Sequence, residues 1–225
     1  MKVIATSSLK GGAGKTTLTL HLATATEHAG IKTAVVDLDP QQAAAKWSDG
    51  REATRPPVTS AMATRLPRVL SDLEQDGTAL VFLDTAAHAE AILTPALDAA
   101  DFVLIPCRPT AIDIQHLAVT GQLVASRNKP AAVVLNAVNE RVAEYEQARR
   151  AVANMGLSVA PVSISNLVGY SRALTAGQGV TEFEPAGKAA QEILSLLQWI
   201  SGILYLSDSR LFDKSRETPN RSRHP

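Results

Sequence analysis

The segment Lys10-Gly11-Gly12-Ala13-Gly14-Lys15-Thr16-Thr17 gathers glycines, lysines and hydroxyls into eight consecutive positions. Gly11, Gly12 and Gly14 let backbone amides turn inward without Cβ clashes, and a run of such amides from Gly11 through Ala13 to Thr17 cradles phosphate oxygens. A helix starting at Lys15 adds its positive N-terminal end. Lys15 would reach the β- and γ-phosphates of a nucleotide, and the Thr16 hydroxyl would ligate Mg²⁺. A glycine-rich turn that merely precedes a helix is the plainer alternative, but strand, loop, Lys-Thr and helix all occur in order. Acids complete the chemistry. Asp84 ends the apolar run Leu80-Val81-Phe82-Leu83 and would hold Mg²⁺ through water. Asp37 and Asp39 end the run Thr33–Val36; two acids one residue apart could also serve as a helix N-cap, with Asp39 placed before Pro40. His88, just beyond Asp84, reads as a surface histidine at a helix start rather than a base.

Positioning these groups requires an ordered alternation of strands and helices. Strands are expected at Val3–Thr6, Thr33–Asp37, Ala79–Asp84, Phe102–Ile105 and Ala131–Asn136, with a short one at Leu157–Ala160. Helices are expected at Lys15–Ala29, Gln41–Asp49, Arg65–Gln75, Ala89–Ala99, Ile112–Arg127, Glu140–Met155, Asn166–Ala176 and Pro185–Ile200; Arg51–Pro57 reads as a loop. The continuous apolar runs are those of parallel strands covered on both faces. Strand–helix alternation then predicts an α/β fold, a doubly wound, mostly parallel sheet with helices on both faces. Ligands in such sheets bind beyond the carboxyl ends of the strands, where Asp37, Asp39 and Asp84 all fall. One domain is expected over residues 1–200. Residues 201–225, with five basic and three acidic side chains and no periodicity, read as a flexible tail.

Composition narrows the choice further. Lysine plus arginine and aspartate plus glutamate number 22 each, so the net charge is zero and a chain-wide polycation for nucleic acid is excluded. The single cysteine, Cys107, rules out an intrachain disulfide framework and a thiolate cluster built within one chain. No signal peptide and no run of ~20 apolar residues is visible, so a reducing, cytoplasmic setting is expected.

Lys10-Gly-Gly-x-Gly-Lys-Thr-Thr resembles the deviant Walker A motif of the ParA/MinD family of P-loop ATPases, and the likeness extends over about residues 1–200. Val35-Val36-Asp37-Leu38-Asp39-Pro40-Gln41-Gln42 looks like the family's second motif, and Trp47 stands where small plasmid-type, ParF-like members often carry it. Leu80–Asp84 resembles the Walker B strand, although Thr85-Ala86-Ala87-His88 lacks the prolines that usually come next. Tyr170-x-x-Ala173-x-x-x-Gly177-x-x-Val180-x-Glu182 matches a late motif; the arginines usual before it are replaced here by Ser165 and Leu167. The resemblance implies the P-loop NTPase fold, ATP/ADP and Mg²⁺ as ligands, and catalytic roles for Lys10, Lys15 and Asp39. Lys10 would cross a dimer interface to the neighbour's nucleotide, Asp39 would orient the attacking water, and Asp37 would support the Mg²⁺ and phosphate-loop network. Asn136 ends a strand where the family contacts adenine, and an amide matches a purine edge; asparagine there is also ordinary turn chemistry.

By the same resemblance the chain is expected to be an ATP-driven homodimeric switch for plasmid, chromosome or other cargo positioning. A ParB-like or other adaptor would stimulate hydrolysis, and the ATP dimer would bind DNA nonspecifically and associate with the nucleoid. Arg141, Arg149, Arg150, Arg172 and Lys188 could supply a modest phosphate-contacting surface, although interleaved glutamates make an ordinary solvated face nearly as reasonable. With the loop starting about ten residues from the first, no operator-specific binding is expected of this chain. The alternative is a MinD-like membrane-associated ATPase. The apolar positions of the last helix read mainly as core, and its polar face is poor in lysine and arginine, so membrane binding ranks below DNA. A dethiobiotin-synthetase-like ligase would need a substrate pocket that the sequence does not reveal.

Overall fold

The computed structural model describes residues 1–87 and 90–204. Seven strands form one sheet in the order β3-β2-β4-β1-β5-β6-β7: β1 (Lys2–Thr6), β2 (Thr33–Asp37), β3 (Val58–Ser60), β4 (Leu80–Asp84), β5 (Phe102–Cys107), β6 (Ala131–Val138) and β7 (Ile164–Ser165). All neighbouring pairs run parallel. Every residue of β2, β4 and β5 is buried, as continuous apolar strands between two helical layers must be.

Period-two alternation splits those side chains between two cores. Ile4, Val35, Phe82, Leu104 and Val134 face α1 (Lys15–His28), α7 (Val168–Thr175), α8 (Val180–Phe183) and α9 (Lys188–Ile203). Their sequence neighbours Val3, Val36, Leu83, Val103 and Val133 face the layer of α3 (Leu66–Gln75), α4 (Glu90–Ala99), α5 (Ala111–Ala125) and α6 (Ala143–Asn154). The short α2 (Ala43–Asp49) buries Ala44 in the first of these cores. Helix α1 is buried on nearly every side from Leu18 to Thr26, so the helix that succeeds the phosphate loop is also the central beam of its layer.

Three short elements escape the sequence pattern. β3 and α8 hold three and four residues, too few to show a period. The expected strand at Leu157–Ala160 contributes only a single bridge from Val159 to Val133; the seventh strand is instead Ile164–Ser165, displaced by an irregularity between Asn136 and Val138. Helix α9 continues through Ile203, with Leu204 buried, beyond the expected boundary at 200. His88 and the segment from 205 to 225, on which the rest of the tail expectation falls, lie outside the described residues.

Candidate functional site: a phosphate loop facing strand-end acids

Strand β1 leads into the loop through Ser7 and Ser8, and β1 pairs with β4 so that Thr6 stands opposite Asp84. On the other side of β4, Asp84 stands opposite Asp37 of β2. Strand register therefore brings two acids to one end of the sheet beside the loop. The loop turns through left-handed conformations at Gly12 (φ 71°) and Gly14 (φ 98°), which only glycine adopts without strain. Gly14 then caps the N-terminus of α1, leaving that helix's first amides aimed into the loop. Lys15 is buried, and its Nζ donates to the Lys10 carbonyl at 3.2 Å. Burial lowers the pKa of that ammonium, while the charges of Asp84 and Asp39 work in the opposite direction.

Asp84 is fully buried and accepts the Thr16 hydroxyl on Oδ2 at 2.6 Å. Its Oδ1 has no hydrogen-bond partner among the described residues. Burial pushes this carboxyl up to about 7, countered in part by the Thr16 bond. An orphaned buried carboxylate oxygen next to a threonine hydroxyl is the arrangement a hard cation resolves. Among the described residues no three His, Cys, Asp or Glu side chains cluster as a metal cage. The donors thus suit Mg²⁺, which takes few protein ligands and completes its shell with phosphate and water.

Asp37 looks similar in sequence and differs in place. Its Oδ1 accepts Asp39 N–H at 3.0 Å, and its Oδ2 accepts Ala44 and Ala45 N–H at 3.0 and 3.1 Å. The carboxylate holds the N-terminus of α2, shapes the Asp39 loop and adds charge near Asp84. The capping role offered to Asp39 belongs to Asp37, because α2 begins only at Ala43. Asp39 accepts Gln41 N–H at 2.9 Å in a tight local turn and lines a cleft of about 540 Å³ with Ala61, Met62 and Ile92. Half-buried Lys10 donates its amide to Ser8 Oγ at 3.3 Å. Asn136, expected at adenine, donates Nδ2 to the Ala13 carbonyl at 2.7 Å.

Other residues hold this constellation in place without local signals in the sequence. The side chain of Arg51 is almost wholly buried, lies 4.5 Å from the Trp47 ring centre and donates to Glu182 at 2.9 Å. Glu182 also accepts Gly179 N–H at 2.7 Å, so α2 and α8 are tied through one guanidinium. His21, on α1, is fully buried; its Nδ1 accepts Val180 N–H at 3.1 Å, and burial pushes its pKa down to about 4. A histidine between Leu18 and Leu22 on a helix buried all round is the one clue that the sequence offers. Cys107 is buried, and its thiol is pushed up to about 12 by burial, which keeps it protonated. Of the expected basic surface, Arg149 stacks on Tyr145 at 5.8 Å and Lys188 donates to Ser165 Oγ at 3.0 Å, whereas Arg141, Arg150 and Arg172 are exposed.

The chain is 29% identical over 204 residues to the maintenance of carboxysome distribution protein A of Halothiobacillus neapolitanus, covering 86% of this chain and 94% of that one. It is 29% identical over 154 residues to protein ParA of Rhizobium radiobacter, covering 65% and 69%. In fold it resembles the septum site-determining protein MinD of Pyrococcus horikoshii, solved in complex with Mg-ADP, with a TM-score of 0.72 at 18% identity over 91% of this chain and 98% of that one. The pattern of the CobQ/CobB/MinD/ParA nucleotide binding domain matches residues 4–180, through the loop and all three acids, and the chain belongs to that family.

Proposed function

We propose that this protein is a Mg²⁺-dependent ATPase of the ParA type that dimerises on ATP and positions a cargo, with a partner protein stimulating hydrolysis. The observation that carries the reading is the junction of the Lys10–Thr17 loop with Asp84 through the Thr16 hydroxyl. The loop amides and the start of α1 bind the phosphate chain, and Lys15 leaves the Lys10 carbonyl for the β- and γ-phosphates. Thr16 and Asp84 hold Mg²⁺, which neutralises charge on the phosphates when bound. Asp39, on the wall of the cleft, orients the attacking water, and the Asp37 carboxylate keeps the Asp39 loop folded back on α2. Lys10, acting on the other subunit's nucleotide as the deviant Walker A resemblance implies, supplies a cation in trans of the kind worth ~10³–10⁵ in rate.

Nonspecific DNA is the favoured anchor for the ATP dimer, with a nucleoid-associated, cytoplasmic location. Two weak patches carrying Arg141, Arg150 and Arg172 add when the protein pairs. The MinD-like alternative needs a free apolar stripe, whereas Ile193, Leu196, Leu197 and Ile200 of α9 are buried in the core. No helix among the described residues is long and apolar enough to cross a membrane. The test is retention on random-sequence duplex and on anionic liposomes, each with ATP and with ADP. Salt-sensitive retention on DNA with ATP alone supports the reading; nucleotide-independent DNA binding, or binding to liposomes only, overturns it.

A further inference from the structure

Asn136 lies 123 residues from Ala13 in sequence, yet its side chain bonds the backbone of the loop between Gly12 and Gly14. Its amide orientation is settled from its own strand end. Ala137 adopts a left-handed conformation (φ 52°) at the irregularity between Asn136 and Val138, and its N–H donates to Asn136 Oδ1 at 2.9 Å. With the oxygen held there, the NH₂ group must face the loop, where it meets the Ala13 carbonyl at 2.7 Å. A trans peptide sends its C=O and N–H in opposite directions, so drawing the Ala13 carbonyl toward Asn136 turns the Gly14 N–H the other way. That is the orientation a phosphate cradle needs. The fit also explains why position 14 is glycine twice over: its φ is 98°, and a Cβ would stand 2.0 Å from Asn136 Nδ2.

We propose that Asn136 is a positioning residue for the phosphate loop, a strut that presets the Ala13–Gly14 peptide, and that its contribution to nucleotide binding is independent of the base. The inference rests on the nucleotide reading above. One hydrogen bond of this kind is worth about tenfold in an equilibrium. In the ligand-free protein, Asn136→Ala is expected to speed amide exchange across residues 12–14 about tenfold relative to β6. The same variant is expected to weaken Mg-ATP, Mg-GTP and Mg-tripolyphosphate by similar factors, leaving the ATP-to-GTP preference unchanged. Asn136→Asp, which keeps the shape but turns a carboxylate toward the Ala13 carbonyl, should weaken all three more. Loss confined to ATP with tripolyphosphate unaffected, or unaltered exchange in the loop, overturns the strut. If the wild-type protein binds none of the three, the nucleotide reading fails, while the exchange comparison still decides whether Asn136 holds the loop.

Discussion

The carboxyl ends of β2 and β4 present the same residue in register, Asp37 opposite Asp84, and treat it in contrary ways. At β2 a short turn leads into α2, and two free amides of that helix together with the Asp39 amide close around Asp37 with three hydrogen bonds. At β4 the chain continues through Thr85, whose hydroxyl turns back to the Thr6 carbonyl at 3.0 Å, and among the described residues the Asp84 carboxylate accepts only the Thr16 hydroxyl from the first turn of α1. One carboxylate is saturated by backbone and builds structure. The other keeps an oxygen with no partner among the described residues, and burial raises its pKa to about 7; burial raises that of Asp37 as well, against the pull of its three amides. The next few residues of the chain thus decide whether a strand-end acid becomes a helix anchor or keeps an oxygen free.

Exchanging each acid for a neutral residue separates the two roles. Asp84→Asn is expected to lower Mg²⁺-dependent ATP turnover by at least about 100-fold, the scale of losing a charge-stabilising contact at a phosphoryl site, while leaving thermal stability equal or higher because a buried charge is gone. Asp37→Ala is expected to do the reverse. It leaves three amides unpaired and should cost about 2–4 kcal/mol of stability in denaturant titration, with a smaller effect on turnover. Equal stability losses in both variants would erase the distinction.

Acid titration sharpens it. The folded Asp84 pKa, about 7, is raised from 3.8, so its stabilisation is present below pH 3.8 and is lost as pH rises through 7, a change of about 4 kcal/mol. The folded His21 pKa, about 4, is lowered from 6.5; that stability is present above pH 6.5 and is lost as pH falls toward 4, a change of about 3 kcal/mol. The two slopes oppose each other between pH 4 and 6.5, so the ligand-free wild type should show a nearly flat profile there. Asp84→Asn should uncover a steep loss of stability on acidification; a variant profile as flat as the wild type's would remove the His21 contribution. A smaller effect is expected at the far end of α2. Arg51→Lys keeps the charge but loses the stack on Trp47 and the fork to Glu182, and should cost about 1–2 kcal/mol in thermal unfolding. No measurable change would mean that α2 is held from its Asp37 end alone.

Much of this architecture is legible in the amino-acid pattern. The apolar strands, the loop and the three acids arise from patterns that span five to ten residues, and the family match confirms the fold that the alternation predicts. The features that escape depend on contacts distant in sequence. Nothing near Asp37 announces that its oxygens face α2 amides, and nothing near Arg51 announces Glu182, 131 residues away. The late motif around Gly177 and Glu182 is visible as a pattern, but its physical content, a tie between α8 and α2, needs the fold. β3 and β7 are too short for periodicity to register.

Sedimentation velocity on the Asp39→Ala protein with Mg²⁺-ATP, beside the same protein carrying Lys10→Ala as well, puts the role proposed for Lys10 across subunits to its strictest trial. A dimer from the first and a monomer from the second, both still binding ADP, is the expected pair of results. Dimers from both, or monomers from both, would show that triphosphate occupancy and pairing through Lys10 are separate events.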